Sequence, residues 1–225
     1  MTPDEAHAFY AALRDADPEP RTELEFVNLY TLLVAVALSA QATDVSVNLA
    51  TRGLFAQVST PAAMLALGED GLRDRIKTIG LFNTKARNVI LMAQQLIERH
   101  SGQVPADRDA LEALAGVGRK TANVVMNVAF GADTIAVDTH VFRVANRTGL
   151  APGPTPLAVE AALEAVTPPP FLRNAHHWLI LHGRHVCKAR APECWRCPVV
   201  AWCAYPDKRL AKAPVDTRKP DRPAT

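Results

Sequence analysis

The chain lacks any apolar stretch of membrane-spanning length. Its longest strongly apolar run, Leu32 to Ala40, has nine residues, roughly half of what a spanning helix needs. A secretory start is missing too. The first residues carry Asp4, Glu5, Asp15, Asp17 and Glu19, with no basic lead and no apolar signal core. These absences give the expectation of a soluble cytoplasmic protein with no membrane partner. Alternating strand patterns are scarce, Asp133 to Val137 being the one short candidate, and no repeat of solenoid period occurs. Neither sign of charge prevails, with 25 basic against 23 acidic residues and a net charge of +2. Cysteine is scarce: there are four, all between Cys187 and Cys203. Thiols in an unexported protein stay reduced, so a metal site is favoured over a disulfide framework.

What is present is a soluble globular composition, 48% hydrophobic and 21% charged, which excludes a wholly disordered, collagen-like or coiled-coil chain. Charge is unevenly spread. Residues 1–25 hold seven acids and two bases, net −5, whereas residues 184–225 hold ten bases and four acids, net +6. That asymmetry fits a basic surface facing an anionic partner, or a solvated tail.

Helix signals recur along the chain. Thr2-Pro3-Asp4-Glu5 supplies a cap, a first-turn proline and first-turn acids for a helix to about Asp15. Phe26 to Ala40 predicts a helix buried on most sides. Another starts at Thr43-Asp44, and a short one opens at Thr60-Pro61 and closes at Gly68. Residues 84–100 place Ala86, Val89, Ile90, Ala93, Leu96 and Ile97 on one face. Further helices are expected near 108–114, 119–130, 139–148, 156–166 and 171–186. The fold class is therefore all-α, with a central block over 22–132. Proline and scattered charge predict disorder in the tail over 212–225.

Chemistry gathers in three places. Gly116-Val117-Gly118 joins two helices through a tight turn, followed by Arg119 and Lys120. Glycines let an outside group approach the backbone, and the following helix presents free N–H groups at its positive end. Two readings stand at this point: a phosphate cradle, or an ordinary helical hairpin with a glycine cap. Lys120 sits in the first turn of that second helix, where a charged ammonium is disfavoured and a neutral amine is favoured. It is either an amine nucleophile or a point charge for phosphate.

Asp138, in Val137-Asp-Thr-His-Val-Phe-Arg143, stands at an apparent helix start. It is either a simple N-cap or a carboxylate for charge stabilisation and proton transfer. His140 is a candidate participant beside it. The cysteines read Cys187-x6-Cys194-x2-Cys197-x5-Cys203. Only Cys194 and Cys197 form a close pair, whereas structural zinc usually shows two. Lys188, Arg190 and Arg196 add positive charge to the same loop, which is either a set of sequence-blind phosphate contacts or a merely solvated loop.

Leu114-Ala-Gly-Val-Gly-Arg-Lys-Thr-Ala-Asn123 followed by Val137-Asp-Thr-His-Val-Phe-Arg143 resembles the helix-hairpin-helix/Gly-Pro-Asp DNA glycosylases. Leu38-Ser-Ala-Gln-Ala-Thr-Asp44, Ile79-Gly-Leu-Phe-Asn-Thr-Lys-Ala86 and the cysteine loop extend the likeness across about residues 22–205. The resemblance implies two helical domains flanking a DNA-binding cleft. One is 22–132 with the helix-hairpin-helix; the other combines 1–21 with 133–211 and carries an iron–sulfur loop. It implies Lys120 as the nucleophile at C1′, Asp138 as the assisting carboxylate, and a [4Fe–4S] cluster on Cys187, Cys194, Cys197 and Cys203, with zinc as runner-up. Gln41, Ile79 and Leu81 match residues that fill the gap left by a flipped nucleotide.

The implied activity is base excision repair of oxidised pyrimidines in double-stranded DNA, with abasic-site cleavage by β-elimination, by a monomer working on the nucleoid. Two departures stand out: Ala115 and Asp133 occupy positions where the family usually has proline. An adenine-mismatch glycosylase is the nearest alternative, but that branch typically lacks the lysine at position 120. A non-catalytic iron–sulfur DNA-binding module needs neither Lys120 nor Asp138.

Overall fold

The computed structural model describes residues 1–212. The expected tail disorder over 212–225 thus lies, apart from Lys212, outside the described residues. Among those residues there are ten α-helices and no strand. None of the helices is long and apolar enough to cross a membrane.

Helix α1 (Pro3–Ala16) starts where its punctuation predicts, with Thr2 and Glu5 closing a capping box. Helix α2 (Leu29–Leu38) starts three residues later than its apolar run suggests. Asn28 Oδ1 accepts from the Thr31 N–H and Thr31 Oγ1 accepts from the Asn28 N–H, each at 2.9 Å. That reciprocal cap sets the helix start and leaves Phe26 and Val27 outside it.

Helix α3 (Asp44–Phe55) is followed by α4 (Pro61–Ile76), which corrects the expectation of a stop at Gly68. Gly68 does break the helical geometry, with φ +73°, yet the chain resumes its helix to Ile76. Leu72 and Ile76 bury in the same core as Met64, and that burial outweighs the glycine. The remaining helices are α5 (Phe82–His100), α6 (Arg108–Glu112), α7 (Arg119–Phe130), α8 (Thr139–Thr148), α9 (Pro156–Val166) and α10 (Leu172–His185).

Their apolar faces form two cores. The first runs from Leu24 to Ala136 and surrounds α2, whose Leu32, Leu33, Val34 and Ala35 are all buried. The second joins α1 to α8, α9 and α10. Here Tyr10 stacks on Phe171 at 5.7 Å, and Phe171 meets Trp178 edge to face at 6.0 Å. Tyr10 Oη and Thr167 Oγ1 share a hydrogen bond of 2.8 Å, and Trp178 Nε1–H donates to the Asp17 carbonyl at 2.8 Å.

The strand candidate over Asp133–Val137 is an irregular segment between the cores. Ile135 and Val137 bury in the second core while Ala136 buries in the first. The alternation seen in sequence is therefore real, but it serves two helical cores rather than a sheet.

Candidate active site and nucleic-acid interface

Helix α6 turns into α7 through the hairpin Leu114–Gly118. Leu114 and Val117 are buried in the first core and anchor the turn, so of Val117 only the backbone is available outward. Gly116 has φ +77°, and a Cβ there would lie 3.0 Å from Asn88 Cβ. Glycine is required at this position. Gly118 differs: its φ is −100°, and nothing lies within 4 Å of the place its Cβ would take. The space above Gly118 is open to an outside group.

The Ala115 N–H donates to Gln95 Oε1 at 2.8 Å, a bond that a proline at this position cannot make. Gly118 caps α7 without any side-chain hydrogen bond, so the first-turn N–H groups stay available. Arg119 points elsewhere. Its guanidinium pairs at 2.7 Å with Glu160, whose side chain is only 6% exposed. Lys120, half-buried, lines a cleft between the cores together with Ser39, Asp44, His176, His177 and Arg184. Across this cleft Arg184 pairs with Asp44 at 2.6 Å and also with Glu23.

Asp138 closes the segment between the cores, and polar groups from both sides hold that segment. From α7, Asn127 Nδ2 donates to the carbonyls of Ala132 and Arg173 at 2.9 Å each, and the Asn123 carbonyl accepts from Thr134 Oγ1 at 2.7 Å. From α10, Arg173 reaches the Gly131 carbonyl at 3.0 Å, and His176 Nδ1 donates to the Ala136 carbonyl at 3.0 Å. A carbonyl only accepts, so this bond places the His176 proton on Nδ1.

Asp138 itself does cap α8. Its Oδ1 accepts from the N–H groups of His140 and Val141, both at 2.8 Å. Those bonds leave Oδ2 for other work. Burial pushes His176 down to about 3; the neighbouring His177 and Lys120 add to the shift, and the Asp138 carboxylate opposes it. One imidazole thus feels the charges of both Lys120 and Asp138.

The residues matched to the flipped-nucleotide gap separate in the structure. Gln41 and Leu81 are exposed, and both hold left-handed backbone, at φ +56° and +61°. Such strain in residues other than glycine costs of order 1–3 kcal/mol and clusters at functional sites. Ile79 instead is 2% exposed within the first core. Its side chain supports the loop rather than facing out of it. His140 is partly buried, with Nδ1 accepting from Arg143 Nη2 at 3.1 Å.

The four cysteines line one cavity with His182, Thr148 and Tyr205. Among the described residues, no three His, Cys, Asp or Glu side chains are grouped closely enough to hold a single metal ion. Burial pushes the Cys197 thiol up to about 11. Arginines on α8 hold the loop from inside: Arg143 Nε donates to the Cys187 carbonyl at 3.0 Å, and Arg147 donates to the carbonyls of Lys188 and Ala189 at 2.8 and 2.7 Å.

Of the loop's own cations, Lys188 pairs with Glu193 at 2.5 Å and Arg196 pairs with the same carboxylate. Arg190 is exposed, with no ion pair among the described residues. Trp202 packs partly buried against the second core, whereas Trp195 is 41% exposed beneath Lys212, whose Nζ lies 5.3 Å from the ring.

Residues 34–169 match the family model described as HhH-GPD superfamily base excision DNA repair protein. The chain belongs to this family. Endonuclease III of Rickettsia conorii is 59% identical over 189 residues, covering 84% of this chain and 90% of that protein. Endonuclease III of Escherichia coli K12 is 58% identical over 196 residues, covering 87% and 93%. The solved structure of a trapped endonuclease III–DNA covalent intermediate matches with a TM-score of 0.85 at 41% identity, covering 91% of this chain and 96% of that one.

Within this HhH-GPD chain, sequence reasoning missed the groups that hold the site rather than occupy it. Asn127, a buried amide on an otherwise apolar face of α7, is the available signal for a polar tether, whereas Asn123 contributes only its main-chain carbonyl. Glu160 and Gln95 gave none, because their partners Arg119 and Ala115 lie 41 and 20 positions away.

Proposed function

We propose that this base-excision-repair DNA glycosylase removes oxidised pyrimidines through Lys120 and Asp138, then cleaves the abasic site by β-elimination. The observation that carries this reading is the shared mount of the two groups. Asn123 and Asn127 of the Lys120 helix hold the segment that ends in Asp138, so the amine and the carboxylate keep a set relation. A covalent intermediate trapped between endonuclease III and DNA, as in the solved relative, requires a protein nucleophile. Lys85, a buried amine on α5, does not line the cleft.

In this mechanism the Lys120 amine attacks C1′ as the bond to the damaged base breaks, and Asp138 stabilises the developing positive charge on the sugar. A proton delivered to O4′ then opens the sugar ring, breaking C1′–O4′ and leaving a Schiff base between Nζ and C1′. Loss of a C2′ proton then expels the 3′ phosphate, with Asp138 Oδ2 placed to carry protons between steps. The hairpin N–H groups around Gly116 and Gly118 hold a backbone phosphate, while Gln41 and Leu81 occupy the gap in the duplex. Arg190 and the neighbouring loop add sequence-blind phosphate contact.

Cys187, Cys194, Cys197 and Cys203 hold a [4Fe–4S] cluster in this reading. Four thiols wall one cavity, and only Cys194 and Cys197 form a close pair in sequence, a donor set that suits a multinuclear centre better than zinc. The cluster's contribution is structural, fixing the loop that presents Arg190. The protein acts in the cytoplasm, on the nucleoid, as a monomer.

Borohydride trapping on abasic-site DNA tests the nucleophile. Lys120→Gln is expected to abolish the adduct and cut strand cleavage by about 10³-fold or more, while binding to a non-cleavable abasic analogue survives. Abundant adduct in that variant would overturn the assignment.

A further inference from the structure

His182 belongs to none of the roles above, yet it is tied to two of the four cysteines by different atoms. Its main-chain carbonyl, at the end of α10, accepts from the N–H groups of Val186 at 2.9 Å and Cys187 at 2.8 Å. Its ring enters the cysteine cavity, where Nε2 lies 3.7 Å from Cys197 Sγ. The side chain is buried, 5% exposed, so water does not compete for that contact. A metal-bound thiolate only accepts hydrogen bonds. Opposite Cys197 the imidazole therefore carries its proton on Nε2.

Arg147 makes the other approach of a nitrogen to a cysteine sulfur, with Nη1 at 3.9 Å from Cys187 Sγ. That nitrogen already donates to the Lys188 carbonyl at 2.8 Å. The imidazole has no such prior engagement at Nε2. Hydrogen bonds to the sulfurs are among the features that set a cluster's potential, and groups that orient metal ligands govern how firmly the metal is held.

We infer that His182 is the N–H···S donor to Cys197, a positioning residue that retains the cluster and raises its reduction potential. This rests on the iron–sulfur reading proposed above. The carbonyl bond to Cys187 sets where the cysteine loop leaves α10, and the ring bond fixes the third ligand of the same loop. A single residue thus fastens both ends of the Cys187–Cys197 segment.

The test uses the full-length protein as purified. Metal analysis comes first: iron with labile sulfide is expected, and stoichiometric zinc would overturn the cluster reading and this inference together. With iron present, the wild type is compared with His182→Phe, which keeps a ring but no donor, and His182→Gln, which keeps an N–H. The phenylalanine variant is expected to lose iron to a chelator about tenfold faster. Its potential by voltammetry is expected to shift lower, because the reduced and more negative cluster loses a hydrogen bond. Glutamine is expected to restore both toward wild type.

Should the phenylalanine variant not assemble, the wild type itself decides. Pulsed electron paramagnetic resonance of the chemically oxidised cluster, in protein labelled with ¹⁵N-histidine, is expected to show a histidine nitrogen coupling. An iron-loaded phenylalanine variant with wild-type potential and iron loss would overturn the inference and leave the cluster reading standing. Absence of the nitrogen coupling in the wild type would do the same.

Discussion

The two groups proposed for the reaction centre are mounted in opposite ways. Lys120 rides on the second position of a regular helix, and the turn before it is shaped by backbone and buried apolar anchors. Asp138 ends a segment with no regular structure of its own, held by side chains from two helices that belong to different cores. The first mount is local and robust. The second is distributed, and it depends on every group that reaches into it.

The largest effect is expected from cutting the distributed mount at Asn127. Asn127→Leu leaves the carbonyls of Ala132 and Arg173 without their donor, at about 1–3 kcal/mol for each group left unpaired. Urea unfolding should show a loss of about 2–6 kcal/mol. Single-turnover base removal should slow in the fraction that remains folded, while borohydride still traps Lys120. Unchanged base removal would show that Asp138 does not need this tether.

Next is the local mount. Gly116→Ala combines a left-handed backbone with a contact at 3.0 Å to Asn88, and should cost about 1–3 kcal/mol in thermal or urea unfolding. DNA binding should weaken with it. Equal stability of this variant and the wild type would mean that the turn relaxes freely.

Acid tests the distributed mount through His176. The unfolded chain takes up a proton near the ordinary 6.5, whereas the folded imidazole does so only near about 3. Between these values the unfolded state binds more protons, so this group's contribution to stability falls as pH falls. The slope is about 1.4 kcal/mol per pH unit. Urea midpoints taken across that window should fall less steeply in His176→Gln than in the wild type. Identical slopes would remove His176 from the account.

The smallest effect belongs to Gly118. Its replacement by alanine meets no atom within 4 Å and should change stability by less than about 1 kcal/mol, the scale of an N-cap substitution. Phosphate binding should nonetheless weaken, because the added methyl occupies the open face. Unaltered DNA affinity would place the phosphate elsewhere.

Much of this arrangement was legible in sequence where the signal is short-range. The hairpin, the first-turn place of Lys120, the cap of α1 and the clustering of the cysteines each lie within one local stretch, and the structure places each where the sequence does. Other features are illegible in sequence for one reason, that their partners come from elsewhere in the fold. Gly68 reads as a stop in sequence, because the burial of Leu72 and Ile76 that carries the helix onward is a tertiary fact.

Arg119 reads as a DNA contact beside the hairpin, and nothing local reveals that Glu160 reaches it from α9, 41 positions away. Ile79 was grouped with Leu81, because two positions along a loop give no hint that one faces the core and the other the solvent. The alternation over Asp133–Val137 is a short strand candidate in sequence, since a period of two does not reveal whether the flanking surfaces are sheets or helices.

The way the chain closes on itself also sets the order in which the enzyme matures. Residues of the first core lie in one continuous stretch from Leu24 to Ala136, so it can form while later parts are still being synthesised. The second core waits. Tyr10 meets Thr167 across 157 positions and Trp178 meets Asp17 across 161, and contacts of such separation form late. Until Arg173 and His176 arrive, the segment that ends in Asp138 has only half of its supports. A nascent chain thus presents a finished hairpin and amine before it can position the carboxylate, so on the proposed mechanism its cleaving power is switched on last.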